Sequence, residues 1–158
     1  MQTDSIKQPS FETLFNEIVL SINSVIPAQP TVNTSEAIGS TEISIELGVS
    51  VGFIGDMKGS LFLKGERETF SSIAELLYGM RLDGEMLTSF TGEVGNMIAG
   101  TLSTNLTKWS LKTDITSPVL MEDGVFKVED QNKALSVALY YENNGTQLDA
   151  ILMFSNEA

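Results

Sequence analysis

Glu93 and Asn96 stand three residues apart in the stretch TSFTGEVGNMIAGTLSTNL, residues 88–106. A carboxylate can pair with a cation, and a carboxamide both donates and accepts hydrogen bonds without titrating. The residues around them are unusual for a helix. Gly92, Gly95 and Gly100 interrupt the stretch, and each interior Gly costs a helix about 0.8–1.0 kcal/mol relative to Ala. At about 100° per residue, Met86, Leu87, Phe90, Val94, Met97 and Ile98 gather on one side as the expected buried stripe. Glu93 and Asn96 fall beside each other on a flank away from its centre. Ser89, Gly92, Gly100 and Ser103 share that flank, with Ala99 next to it. A flank of small residues has two explanations. Another element of the same protein can pack closely on the backbone, or the flank can be a platform from which two longer side chains reach into a partner. The pattern alone slightly favours the first. Gly95 lies nearer the buried side and is assigned to internal packing.

Composition narrows the chemistry further. The chain of 158 residues contains no Cys and no His. Disulfides, thiol nucleophiles, Cys/His zinc sites and imidazole bases are therefore excluded. Any chemistry must use carboxylates, amides, hydroxyls or amines, or groups lent by a partner. Nine Lys and Arg face 21 Asp and Glu, a formal net charge of -12. That balance argues against nucleic acid and anionic membrane surfaces as partners. No apolar run approaches the ~20 residues of a membrane span. The opening MQTDSIKQPS has neither a basic region nor an apolar core, so it does not read as a signal peptide. The expectation is a soluble, cytoplasmic protein with no membrane association.

The elements that must position the pair follow from periodicity. Residues 1–9 read as a polar tail and 10–158 as a single domain. Ser10 is a plausible cap for a helix over about 11–26, with Phe11, Leu14, Phe15, Ile18, Val19 and Ile22 as its apolar stripe and Pro27 and Pro30 beyond its end. Residues 28–40 read as a linker or irregular strand. TEISIELGVSV, 41–51, alternates, which places Ile43, Ile45, Leu47, Val49 and Val51 on one face of a half-buried strand. GSLFLKG, 59–65, returns antiparallel after a turn at Gly55-Asp56. Residues 66–79 read as a helix with Phe70, Ile73, Ala74, Leu77 and Tyr78 as its stripe and Gly79 as its stop. Asp83 caps the long helix, about 84–109. An extended segment around Pro118 follows, then strands near 124–129, 134–142 and 147–155, the last two joined by a turn in ENNGTQ. The predicted class is α+β, with long helices packed on one face of a mostly antiparallel sheet.

The arrangement resembles the signature of the CheC/CheX/FliY family of response-regulator phosphatases of bacterial chemotaxis. That signature is Asp or Ser, three residues, Glu, two residues, Asn, and a Pro about two dozen positions on. Ser89, Glu93 and Asn96 match it here, with Pro118 close to the expected place. The order of elements is CheX-like over nearly the whole chain, and the motif occurs once, as in CheX. The resemblance implies a partner, a phosphorylated CheY-like receiver domain. It implies that Glu93 pairs with the receiver's lysine, that Asn96 orients a water in line with the aspartyl phosphate, and that Ser89, Gly92, Gly100 and Ser103 let the helix approach. It implies no cofactor or metal of the chain's own, the Mg²⁺ belonging to the receiver, and a homodimer. Acyl phosphates are already reactive and their transition states loose, so positioning suffices without a strong base. The alternative is a non-catalytic module that binds a receiver or a flagellar or chemotaxis protein through the same helix.

Other features read as structural. GVSVGFIG, 48–55, lacks the Lys-Ser/Thr of a P-loop and dinucleotide spacing. The acidic pairs in MEDG and VED read as solvated loop charges, Trp109 as core or an interface anchor, and Met97 as core.

Overall fold

In the computed structural model, the described residues are 9–37, 41–128, 132–142 and 145–155. The expected tail lies almost wholly outside them, as does the middle of the ENNGTQ turn.

Ser10 does cap the first helix: its hydroxyl accepts from the Thr13 backbone N–H, and α1 runs Phe11–Val25. The strand β1 (Thr31–Ala37) occupies the segment that read as a linker or irregular strand, and decides for the strand. β2 (Thr41–Gly55) and β3 (Gly59–Gly65) pair antiparallel. α2 (Arg67–Tyr78) stops at Gly79, whose backbone is left-handed with φ 80°, a conformation glycine adopts without steric cost. α3 (Gly84–Leu106) begins after Asp83, which makes no side-chain cap bond, and passes into a 3₁₀ turn at Thr107–Trp109. The extended segment around Pro118 resolves into β4 (Thr113–Ile115) and β5 (Val119–Val128). β6 (Asn132–Tyr141) and β7 (Thr146–Ser155) complete the chain.

Among the described residues these strands form one seven-stranded sheet in the order β1-β6-β7-β3-β2-β4, with β5 also on β2. Every pairing is antiparallel. The fold class is therefore the one the periodicity predicts. β4 and β5 share one edge of β2. Between them Thr116 takes over the ladder: its N–H donates to the Gly52 carbonyl and its hydroxyl accepts from the Gly52 N–H, each at 2.9 Å.

The main core lies between helices and sheet. Leu14, Ile18 and Ile22 of α1 and Val94, Ile98 and Leu102 of α3 meet Leu47, Val49 and Val51 of β2 and Leu135, Val137 and Leu139 of β6. Burying one such side chain is worth about 1.5–3 kcal/mol. A smaller cluster holds Ile45, Phe62, Ala134, Ile151 and Met153, with Ile43, Met121 and Phe126 against it.

That second cluster corrects the single-face reading of β2. Ile43 and Ile45 belong with it, whereas Leu47, Val49 and Val51 belong to the main core. The change falls at Glu46, flanked by the pairs Ile45–Gly124 and Leu47–Glu122. At the same level of β5, Asp123 is left-handed with φ 48°. Glu122 and Asp123 are not loop charges. They lie in β5 and hold Arg67, at 3.3 and 2.9 Å, so that the start of α2 is tied to the sheet.

The far end of α3 is tied to α1. Glu17 is buried, and its Oε2 accepts from the Trp109 indole N–H at 3.0 Å and pairs with the Lys108 ammonium at 3.1 Å. Asn105 donates to the Ser21 hydroxyl at 3.3 Å. Trp109 is thus half-exposed, its polar edge bonded and its ring partly in solvent. A buried carboxylate is stable only when paired and hydrogen-bonded, so this seam fixes how α3 lies along the molecule.

Candidate functional site

The buried arc of α3 contains Leu87, Phe90, Thr91, Val94, Gly95, Ile98, Ala99, Leu102 and Leu106. The opposite arc carries Ser89, Glu93 and Asn96, all exposed. Met86 and Met97 also lie there, 63% and 42% exposed, and this corrects their expected place in the buried stripe. The middle of the buried arc falls near Ile98 and Thr91, and both methionines lie more than a quarter turn from it.

The small flank divides. Gly95 faces the sheet: a Cβ there would stand 2.5 Å from Val49 Cγ1. Gly92 is buried, and a Cβ on it would meet Leu120 Cδ2 of β5 at 3.1 Å. At Gly100 the nearest atom would be Ile115 Cδ1 of β4, at 3.8 Å. The Ser103 hydroxyl donates to the Thr113 carbonyl at 2.8 Å. The expectation of one open flank is corrected at Gly92 and Ser103, which receive β5 and β4. Gly100 is half-buried at that border. The fully open stripe is narrower: Ser89, Glu93 and Asn96.

These contacts set a register between the helix and the sheet edge. Gly92 meets Leu120 and Gly100 meets Ile115. Pro118 falls between those contacts along the edge, as Asn96 falls between them along the helix. Pro118 stands where β4 gives way to β5, and it brings no N–H that the edge would leave unpaired.

Among the described residues, the Glu93 carboxylate has one hydrogen-bond partner. The Tyr78 hydroxyl donates to its Oε1 at 3.3 Å. The Tyr78 ring meets Phe90 edge-on, centroids 5.4 Å apart and planes at 72°. This corrects the sequence reading, which placed Tyr78 in the apolar stripe of α2. Loss of hydration, followed by the Glu93 carboxylate, raises the pKa of the Tyr78 phenol above its ordinary value near 10. The Asn96 carboxamide makes no hydrogen bond to any described residue. A shallow groove of about 450 Å³, lined by Tyr78, Met80, Leu82, Met86, Phe90 and Glu93 among others, runs beside the pair. Among the described residues, no three Asp or Glu come close enough to hold a metal ion.

The site is thus a carboxylate and an unengaged carboxamide one turn apart, carried on a rigid helix, beside an apolar groove. Such a surface can hold a cation with one group and a water or hydroxyl with the other.

The fold and site define a class of protein: a helix-on-sheet domain that presents a Glu/Asn pair from its long central helix. Residues 47–142 match the family described as chemotaxis phosphatase CheX, and the chain belongs to that family. It is 28% identical over 120 residues to the CheY-P phosphatase CheX of Thermotoga maritima, covering 73% of this chain and 77% of that one. Solved structures share the fold. CheX in the CheX–CheY–BeF₃–Mg²⁺ complex of Borrelia burgdorferi superposes with a TM-score of 0.69 at 20% identity, covering 95% of this chain and 100% of that one. The chemotaxis protein CheX of Desulfovibrio desulfuricans gives 0.73 at 13% identity, covering 91% and 97%.

Proposed function

We propose that this chemotaxis phosphatase hydrolyses the aspartyl phosphate of a CheY-like receiver, with Asn96 orienting the attacking water and Glu93 pairing with the receiver's lysine. The observation that carries the reading is the exposed, unengaged Asn96 carboxamide one turn from Glu93, in a chain of the CheX family. An amide suits the task, since it accepts from the water with its oxygen and donates with its nitrogen, fixing the direction of a lone pair. It asks for no proton transfer by an imidazole, and this chain has no His. The pairing of Glu93 with an ammonium sets the docked position, and rate is gained through proximity and alignment. Ser89, small and one turn before Glu93, keeps the approach low, with Gly100 at its far end. Gly92 and Ser103 serve that approach indirectly, by seating the helix on β5 and β4.

The receiver holds the Mg²⁺, as the contents of the Borrelia complex suggest by analogy, and the chain contributes no cofactor to the step. Residues 10–158 act as one domain, on the support of the single sheet. The chain works as a homodimer in the cytoplasm, where its receiver is. The family resemblance supports the dimer, as does the exposed apolar edge at Val119 and Val125 of β5. Among the described residues, no helix is long and apolar enough to cross a membrane.

The test is the lifetime of phosphorylated receivers from the same organism, with and without the purified protein. At least one lifetime should shorten in proportion to the amount added. Binding without any change in lifetime would show a recognition module instead.

A further inference from the structure

We propose that Tyr78 is a positioning residue for Glu93, holding its carboxylate in the pose that meets the receiver's ammonium; this rests on the docking role of Glu93 proposed above. Glu93 is an exposed side chain with three rotatable bonds. Fixing a side chain of this kind costs up to about 1.5–2 kcal/mol of conformational entropy. That cost weakens docking unless the pose exists beforehand. Tyr78 supplies the pose. Its hydroxyl donates to Oε1 at 3.3 Å, so Oε2 is left for the partner.

The donor is itself held. Phe90, on the same helix as Glu93 and less than one turn before it, meets the Tyr78 ring edge-on at 5.4 Å. The backbone behind Tyr78 is braced on both sides. Gly79 N–H bonds the Glu75 carbonyl at 2.9 Å. The Ser71 hydroxyl donates to the Leu82 carbonyl at 2.9 Å, and Arg81 pairs with Glu68 and Glu75. The connection from α2 to α3 therefore presents the phenol at a set place on the flank of α3.

A neutral donor suits this position. Lys or Arg there would neutralise Glu93 and compete with the receiver's ammonium, whereas a phenol aims the carboxylate and leaves its charge intact. The phenol stays protonated at any pH where a receiver functions.

The experiment is a double-mutant cycle on the whole protein, with phosphorylated receiver as substrate, using Tyr78→Phe, Glu93→Ala and the pair. Tyr78→Phe keeps the ring on Phe90 and removes only the donor. It should raise KM about three- to tenfold, the worth of one hydrogen bond, with kcat unchanged within about twofold. In the Glu93→Ala background the same change should leave KM unmoved. An unchanged KM for Tyr78→Phe alone, or an equal effect in both backgrounds, would overturn the proposal, since a merely structural phenol acts regardless of Glu93. Failure of the underlying reading looks different: wild-type protein would not hasten dephosphorylation at all, or Glu93→Ala would match it, and Tyr78 would lose its role with Glu93.

Discussion

Gly95 lies flat against Val49, so close that a methyl group on it would stand 2.5 Å from Val49 Cγ1. The contact lets α3 descend onto β2, and it sets the height at which Glu93 and Asn96 leave the domain. Gly95→Ala should gain about 0.8–1.0 kcal/mol of helix propensity yet lose about 1–3 kcal/mol to overpacking. Urea denaturation should find it destabilised. Adding Val49→Ala should give a double variant less destabilised than the two single changes summed, as expected of residues in contact.

Gly100 is the opposite case. A methyl there meets Ile115 Cδ1 at an ordinary 3.8 Å. Gly100→Ala should therefore stabilise the protein by roughly 0.5–1 kcal/mol. With Gly100 at the far end of the proposed approach, the same methyl should raise KM for phosphorylated receiver severalfold. Stability and turnover moving in opposite directions is the signature to look for, with denaturation and a phosphate-release assay on the same preparation.

Burial of Tyr141 gives an alkaline limit. Loss of hydration pushes its phenol up to about 12, whereas an unfolded tyrosine ionises near 10. Between those values the unfolded chain sheds a proton that the folded chain keeps. The contribution is therefore complete below about pH 10 and is lost as pH rises towards 12, about 2–3 kcal/mol in all. Tyr141→Phe should lack this limb. Stability against pH by chemical denaturation, wild type beside variant, checks it.

How much of this was legible beforehand depends on whether the signal was local. The cap at Ser10, the stop at Gly79 and β3 to the residue were all readable, because capping and alternation are written in neighbouring positions. β1 was readable only as a linker or irregular strand, since TVNTSEA carries little apolar patterning and owes its place to backbone pairing with β6. The change of face at Glu46 is not written in the alternation itself and shows only in the two clusters that β2 joins. Met86 and Met97 were misplaced because methionine is apolar wherever it sits, and only the sheet decides which arc of α3 is covered. Gly92 and Gly100 look alike in sequence, although one carries Leu120 and the other barely touches Ile115. Glu93 and Asn96 were legible as a motif. Tyr78 was not, since its hydroxyl reaches Glu93 only when the end of α2 is folded beside α3.

The catalytic role proposed here falls on one side chain, and the decisive variant is Asn96→Ala, measured for binding and turnover of a phosphorylated receiver. Asn96 is exposed and has no hydrogen-bond partner among the described residues, so the fold should be unaffected. Loss of the water-orienting amide should lower kcat by about 10²–10³, with receiver affinity within a few-fold of wild type because Glu93 still docks. A variant that folds, binds and dephosphorylates at the wild-type rate would contradict that role.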